Sequence, residues 1–332
     1  MFLRNLIENT EGSAGCGCEH GLSFYIETRG HKLLVDTGAS SLLLENAEKL
    51  GVDLTQVDTV ILSHGHYDHG GGIPGFVSLN PDAKIYLQPT AFGDYCSVRE
   101  DAEPRYIGLD PAIRDLPQVI PVTGSDGLLR IDDELTLFWD IGSAHPIPSG
   151  NRTLKIRKRS TDSAEKGAAG GRDAGDAGHG ADSGASQPVF AQDDFRHEQC
   201  LVIRQEGLSI LLCGCAHHGI LNILDRYEEL FGEAPDVVIS GFHMMQRGGY
   251  SEEDIDLIID TALSLKKEYP DTRFYTCHCT GVEPYEAMRQ ILGERLTYVH
   301  CGDGCVLPDD HADRLSQKVT CSLYSAVEIM VQ

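Results

Sequence analysis

Short apolar runs of strand length alternate along this chain with segments whose apolar positions recur at helical spacing. Residues 22–37, LSFYIETRGHKLLVDT, hold two apolar stretches broken at Arg29-Gly30, the pattern of a hairpin. The following SSLLLENAEKLG predicts a short helix, with Ser40 or Ser41 as its cap and Gly51 as its stop. In DTVILSHGHYDHGGG a buried strand over 60–62 runs straight into a polar, glycine-rich loop. The same order of strand, chemistry-bearing residues and helix returns at LSILLCGCAHHGILNILDRYEEL, at PDVVISGFHMMQRGG and at TRFYTCHCTGVEPYEAMRQIL. Four strand ends therefore carry His, Asp or Cys, and strand ends that feed loops are where α/β proteins place their chemistry.

One stretch breaks the pattern. Residues 158–190 are dominated by Gly, Ala, Ser and Asp and offer almost nothing to bury, so a disordered surface insertion is expected there, and its His179 is given no role. A length of 332 residues allows one large domain with an insertion or two domains. The expectation is one domain spanning 1–332.

Composition narrows the class. Hydrophobic residues at 41% and charged residues at 23% suit a packed globular enzyme. Fifty-one acidic residues against 27 basic ones give a formal charge of -24, a field that repels nucleic-acid backbones and anionic membranes. Neither is expected as a partner. A small anionic substrate stays compatible, because a bound metal ion inverts the local potential. No run is apolar and long enough to span a bilayer, and the N-terminus lacks the apolar stretch of a signal peptide, so a cytoplasmic location is expected. Eleven cysteines, an odd number, suit reduced thiols and metal chemistry better than a disulfide framework.

The densest chemical signal is His64-Gly65-His66-Tyr67-Asp68-His69. Three imidazoles and a carboxylate within six residues are too tight for one helix face and suit a loop folded over a cation. Surface polarity alone is a poor account of such a cluster. One segment cannot fill the coordination spheres, so further ligands must arrive from distant strand ends. His217 in Gly214-Cys215-Ala216-His217-His218-Gly219 and His278 in Cys277-His278-Cys279-Thr280-Gly281 both follow apolar strands. Cys215 is a further candidate, with burial as a small hydrophobe the competing account.

These residues resemble the metallo-β-lactamase superfamily, whose hallmark is His-x-His-x-Asp-His after a strand, preceded by an Asp-Thr-Gly-type turn; Asp36-Thr37-Gly38 and His64 to His69 match. Within it the chain is similar to the branch of 7,8-dihydropterin-6-methyl-4-(β-D-ribofuranosyl)aminobenzene 5'-phosphate synthase. The shared segments are Glu19-His20-Gly21-Leu22-Ser23, Gly214-Cys215-Ala216-His217, Gly241-Phe242-His243 and His278-Cys279-Thr280-Gly281. Departures are Ala216 for a serine, Ser240 for a glycine, and the low-complexity stretch.

The resemblance implies an αββα sandwich of two mixed sheets with helices on both outer faces and a metal cleft along one edge. It also implies His64, His66 and a later histidine around one metal, with Asp68, His69 and His278 around a second. For the later histidine, His217 is favoured over His145 in Ser143-Ala144-His145-Pro146. The bridging Asp of many members is replaced here by Gly214-Cys215, and a thiolate favours softer metals. Zinc, as two ions, is the expected cofactor, with iron or manganese as alternatives. Asp36 is expected to accept a hydrogen bond from a ligand histidine. His243 is a substrate or acid–base candidate, and Asp68 is expected to orient water as well as to bind metal.

The chemistry that follows is hydrolysis of a small anionic ester or phosphoester by metal-activated water. The alternative carried by the branch is a transferase joining an aminobenzoate-type acceptor to a ribosyl diphosphate donor. A diiron redox protein is a further alternative, weakened because such members carry a glutamate within the first motif. Cys16-Gly17-Cys18 and the 301–305 pair lack zinc-ribbon spacing. Arg152 and the basic run 155–159 are potential contacts for a substrate phosphate, though such runs are ordinarily solvated.

Overall fold

The computed structural model describes residues 1–12, 15–158, 188–205 and 207–307. Two seven-stranded mixed sheets carry the fold. The first runs, in spatial order, Gly304–Val306, Phe2–Ile7, Ser23–Glu27, Lys32–Val35, Thr59–Ile61, Lys84–Leu87 and Val119–Pro121. It is antiparallel up to Lys32–Val35 and parallel beyond. The second runs Leu296–Tyr298, Arg273–Thr276, Val237–Ile239, Leu208–Leu212, Cys200–Gln205, Leu135–Phe138 and Leu128–Arg130. Its first four strands are parallel and the rest antiparallel.

The apolar runs in the sequence are continuous because both faces of each central strand are buried. Alternate residues then divide between two cores. Leu33, Val35 and Ile61 of the first sheet meet Ile210, Leu212, Val237 and Ile239 of the second in the core between the sheets. The intervening Leu34, Val60 and Leu62 face the opposite way, against Leu43 and Ala47 of helix α1 (Leu42–Lys49) and Ile73 and Phe76 of a later helix. On the far side, Leu211 and Val238 pack against three more helices.

In chain order the remaining helices are α2 (Tyr67–Gly70), α3 (Ile73–Leu79), α4 (Ile220–Phe231), α5 (Glu252–Glu268) and α6 (Val282–Leu292). Helices α1 and α3 cover the first sheet, and α4 to α6 the second. This is the αββα sandwich implied by the resemblance, in the α/β class. The hairpin at Arg29-Gly30 is present. At the start of α1, Ser40 Oγ accepts from Leu42 N at 3.1 Å, while Ser41 makes no capping bond. Gly51, at φ +68°, turns the chain out.

A third sheet of four strands, Val189–Gln192, Leu154–Lys158, Tyr95–Arg99 and Ala102–Tyr106, stands beside the sandwich. Lys158 pairs with Val189, so the ends of the stretch expected to be disordered are strand residues. Its remainder, including His179, lies outside the described residues. Residues 155–157 of the basic run are half-buried in an inner strand of this sheet, and Lys158 at its end is exposed. The first and last described residues also meet: the N-terminal amine donates to Leu307 O at 3.1 Å. Among the described residues no helix is long and apolar enough to cross a membrane, and the ten described cysteines are all free thiols.

Candidate metal centre

Every strand end singled out in the sequence converges on one cleft. His64 follows Thr59–Ile61, Cys215 and His217 follow Leu208–Leu212, His243 follows Val237–Ile239, and His278 follows Arg273–Thr276. Asp68 and His69 lie in the single turn of α2. His64, His66, Asp68, His69, Cys215, His217 and His278 are all buried. The chain reaches this geometry through unusual backbone: Asp36, Ala216, His243 and His278 all have positive φ between 50° and 61°. Such conformations cost free energy and persist only where surrounding contacts fix them.

Close packing at the motif demands glycine. A Cβ on Gly65 would overlap the backbone of Ala91, and one on Gly214 would overlap Ser63 Oγ.

The imidazole tautomers follow from the outer partners. His69 Nδ1 donates to Asp36 Oδ2 at 2.6 Å, the role expected of Asp36. Ser63 Oγ donates to the same carboxylate at 2.8 Å and therefore accepts from His64 Nδ1 at 2.9 Å. Asn151 Nδ2 donates to His217 O at 2.7 Å, which leaves its Oδ1 to accept from His217 Nδ1 at 2.9 Å. Asn9 does the same for His278, through Nδ2 to O at 3.2 Å and Oδ1 from Nδ1 at 2.8 Å. All four rings thus keep a proton on Nδ1, and His64, His217 and His278 turn an Nε2 lone pair inward. At His69 burial is outweighed by Asp36, which raises its pKa to about 9, so that a cation must displace the Nε2 proton there.

That arrangement leaves lone pairs facing one another. His64 Nε2 and His217 Nε2 stand 3.3 Å apart, and His278 Nε2 is buried with no hydrogen-bond partner. Burial first, then the neighbouring imidazoles, holds His64, His217 and His278 well below the ordinary histidine pKa, so they stay neutral. Neutral imidazoles with converging lone pairs are what a cation requires. The donor set fits a metal centre.

Three candidate groups share one sulfur, the third being Cys215 with His243 and Cys279. The ligand atoms of His64, Cys215 and His217 lie within 4.8 Å of each other, as do those of His69, Cys215 and His278. Cys215 Sγ is 3.2 Å from His69 Nε2. It stands between the first two groups, where a bridging donor belongs. Burial, then the neighbouring Cys279, pushes the Cys215 thiol well above its ordinary range, so a cation against the sulfur is needed to ionise it. Asp68 Oδ2 lies 3.9 Å from His69 Nε2 and 3.7 Å from His278 Nε2. Burial opposes its ionisation, but the His20 hydrogen bond and then the flanking His69 and His278 hold its carboxyl well below the usual range.

His243 sits in the cleft, its ring 4.3 Å from that of His217 and its Nδ1 without a partner. His145 is elsewhere: its Nε2 meets Asp225 Oδ2 at 3.0 Å at the surface. The cleft holds about 1000 Å³, with Arg99, Arg105, Arg152 and Arg247 in its walls beside Glu100, Asp101 and Glu103. Arg152 is already paired with Glu253 at 2.9 Å. Among the described residues, Cys16, Cys18, Cys301 and Cys305 join no candidate metal group.

Several residues that shape the site carried no signal in the sequence: Asn9, Asp193 and His197 sit in loops, and Asn151 in a short 3-10 helix, far along the chain from the motif. His20 lay within a segment already recognised, and its Nε2 is 3.2 Å from Asp68 Oδ2. Only its chemistry was missed.

Comparison with known proteins gives the same frame. Residues 16–145 match the model of the Metallo-beta-lactamase superfamily. The chain is 26% identical over 291 residues to a Methanocaldococcus jannaschii protein named 7,8-dihydropterin-6-methyl-4-(beta-D-ribofuranosyl)-aminobenzene-5'-phosphate synthase, covering 86% of this chain and 88% of that one. An uncharacterized protein of the same organism is 24% identical over 287 residues, covering 86% and 92%. Among solved structures, one described as a metal-dependent hydrolase of the beta-lactamase superfamily superposes with a TM-score of 0.69 at 24% identity, covering 93% of this chain and 100% of that one.

Proposed function

We propose that this chain, whose residues 16–145 match the model of the Metallo-beta-lactamase superfamily, is a metal-dependent hydrolase with a dinuclear centre, acting on a small anionic ester or phosphoester. The observation that carries this reading is the facing pair of Nε2 lone pairs on His64 and His217, 3.3 Å apart, with a second set of donors across Cys215. His64, His66 and His217 hold one ion, Asp68, His69 and His278 the other, and Cys215 lies between. Zinc suits imidazole, carboxylate and thiolate together; iron is second, and manganese third because of the sulfur. The ions supply acidified water and stabilise developing negative charge.

The protein's own residues supply the rest. Asp68 orients water from the cleft floor, and His243, beside His217, meets the substrate's reacting end. The arginines in the cleft walls favour an anionic substrate within an otherwise acidic protein. A transferase of the kind the Methanocaldococcus jannaschii synthase is named for is the second reading, supported by the match over 86% of the chain.

Elemental analysis, paired with chromogenic phosphodiester, phosphomonoester, lactone and thioester substrates, tests the proposal. Two metal equivalents and turnover abolished in His66→Ala are expected. No bound metal after expression in metal-replete medium overturns it. Metal without hydrolysis of any ester turns attention to the transferase.

A further inference from the structure

We propose that Asp193 and His197 are positioning residues for the His66 ligand, and that the loop 193–199 serves the first metal alone. The inference rests on the reading that His66 binds metal. Asp193 directly follows the strand Val189–Gln192, and His66, Asp193 and His197 are buried to 4%, 3% and 1% exposure. Their ligand atoms lie within 4.8 Å of one another, which by distance alone suggests a third metal site.

The hydrogen bonds exclude that. Gly65 N donates to His197 Nδ1 at 2.9 Å, so this nitrogen holds the lone pair and the ring's proton sits on Nε2. His197 Nε2 donates in turn to Asp193 Oδ2 at 3.2 Å and has nothing left for a cation. Asp193 Oδ1 is engaged by Phe195 N at 2.9 Å.

What remains is Asp193 Oδ2, 3.9 Å from His66 Nε2, a buried nitrogen with no hydrogen-bond partner. A small rotation of the ring closes that gap. His66 then keeps its proton on Nε2 and turns Nδ1 to the cleft, the opposite of the other four rings. Asp193 thereby does for His66 what Asp36 does for His69, and His197 ties that carboxylate to the backbone of the motif itself.

The rest of the loop acts on the same half of the centre. Phe195, at φ +51°, stacks on His217 with centroids 4.5 Å apart and planes within 3°. Glu198 Oε1 accepts from His217 N at 2.6 Å, and Gln199 N donates to Ser63 O, beside His64, at 2.8 Å. His66, His217 and the His64 segment are all held by this loop. Among the described residues, no hydrogen bond or ring contact from 193–199 reaches Asp68, His69 or His278.

Cobalt(II) titration of the apoprotein, followed by electronic spectrum, elemental analysis and chelator competition, tests the inference. Asp193→Asn is expected to weaken one of the two sites about ten- to hundredfold, the usual cost of losing an outer-shell partner, and to leave the other unchanged. Asp193→Glu should restore part of the loss. Asn9→Ala, which releases His278, should weaken the other site instead. If Asp193→Asn does not fold, His197→Gln carries the same expectation with the carboxylate retained. Equal weakening of both sites, or both affinities within twofold of wild type, overturns the proposal. A wild-type protein that takes up no metal fails earlier, at the metal centre itself.

Discussion

Cys215 Sγ stands 3.2 Å from His69 Nε2, on the inward side of a ring whose other nitrogen is tied to Asp36 at 2.6 Å. A soft donor is thereby placed where two sets of nitrogen ligands meet, and the consequences are chemical before they are structural.

Replacing this sulfur by a carboxylate, Cys215→Asp, should keep two metal equivalents but shift selectivity from zinc toward manganese, because hard oxygen donors suit harder ions. Competition between the two metals, read by elemental analysis, checks this. The cobalt(II) protein should also lose a near-ultraviolet sulfur-to-metal band that Cys279→Ser retains.

Asn9 and Asn151 each grip one histidine twice, at the ring and at the backbone carbonyl. Asn151→Ala should weaken the site containing His217, and Asn9→Ala the site containing His278, each about ten- to hundredfold. Isothermal titration of the two variants with zinc separates them.

Gly65 has no room for a methyl group, because the atoms it would meet are the backbone of Ala91 rather than a movable side chain. Gly65→Ala should destabilise the fold by about 1–3 kcal/mol, the usual penalty for overpacking, and lower metal occupancy with it. Chemical denaturation of the apoprotein measures the first and elemental analysis the second.

His31 clasps two carboxylates, Asp58 at 2.8 Å and Asp132 at 2.6 Å, well away from the metal ligands. Burial lowers its pKa, but the hydrogen bonds to Asp58 and Asp132 outweigh it and the net shift is upward. A pKa raised on folding gives stability that is complete below the unfolded value of about 6.5 and is lost as pH rises through the folded value. His31→Gln should therefore lower the denaturation midpoint below pH 6, with the difference from wild type shrinking as pH rises toward 9. A difference that grows with pH contradicts the assignment.

The convergence of the candidate ligands on one cleft was legible in the sequence because strand ends announce themselves: an apolar run of three or four residues stops, and His, Cys or Asp follows. The same rule located four of the strands, while the two-sheet sandwich was implied by the resemblance alone. Two kinds of feature escaped. Neutral amides such as Asn9 and Asn151 look like any loop polar until a ring is found beside them. Asp193 and His197 follow a low-complexity stretch, where composition argued for nothing ordered at all. The boundary of that stretch was also misjudged, because Val189 and Phe190 earn their strand places by pairing with Lys158 and Arg157, not by local pattern.

The pairing of the first strand with residues 304–306 has a kinetic meaning. Asn9 orders His278 across 269 residues of sequence, and Phe2–Ile7 pairs with Gly304–Val306. Contacts this far apart pay their loop-closure entropy late, after local structure has formed. The side of the cleft around His278 is therefore expected among the last features to be completed during folding, and metal affinity there would gauge whether this long-range pairing has closed.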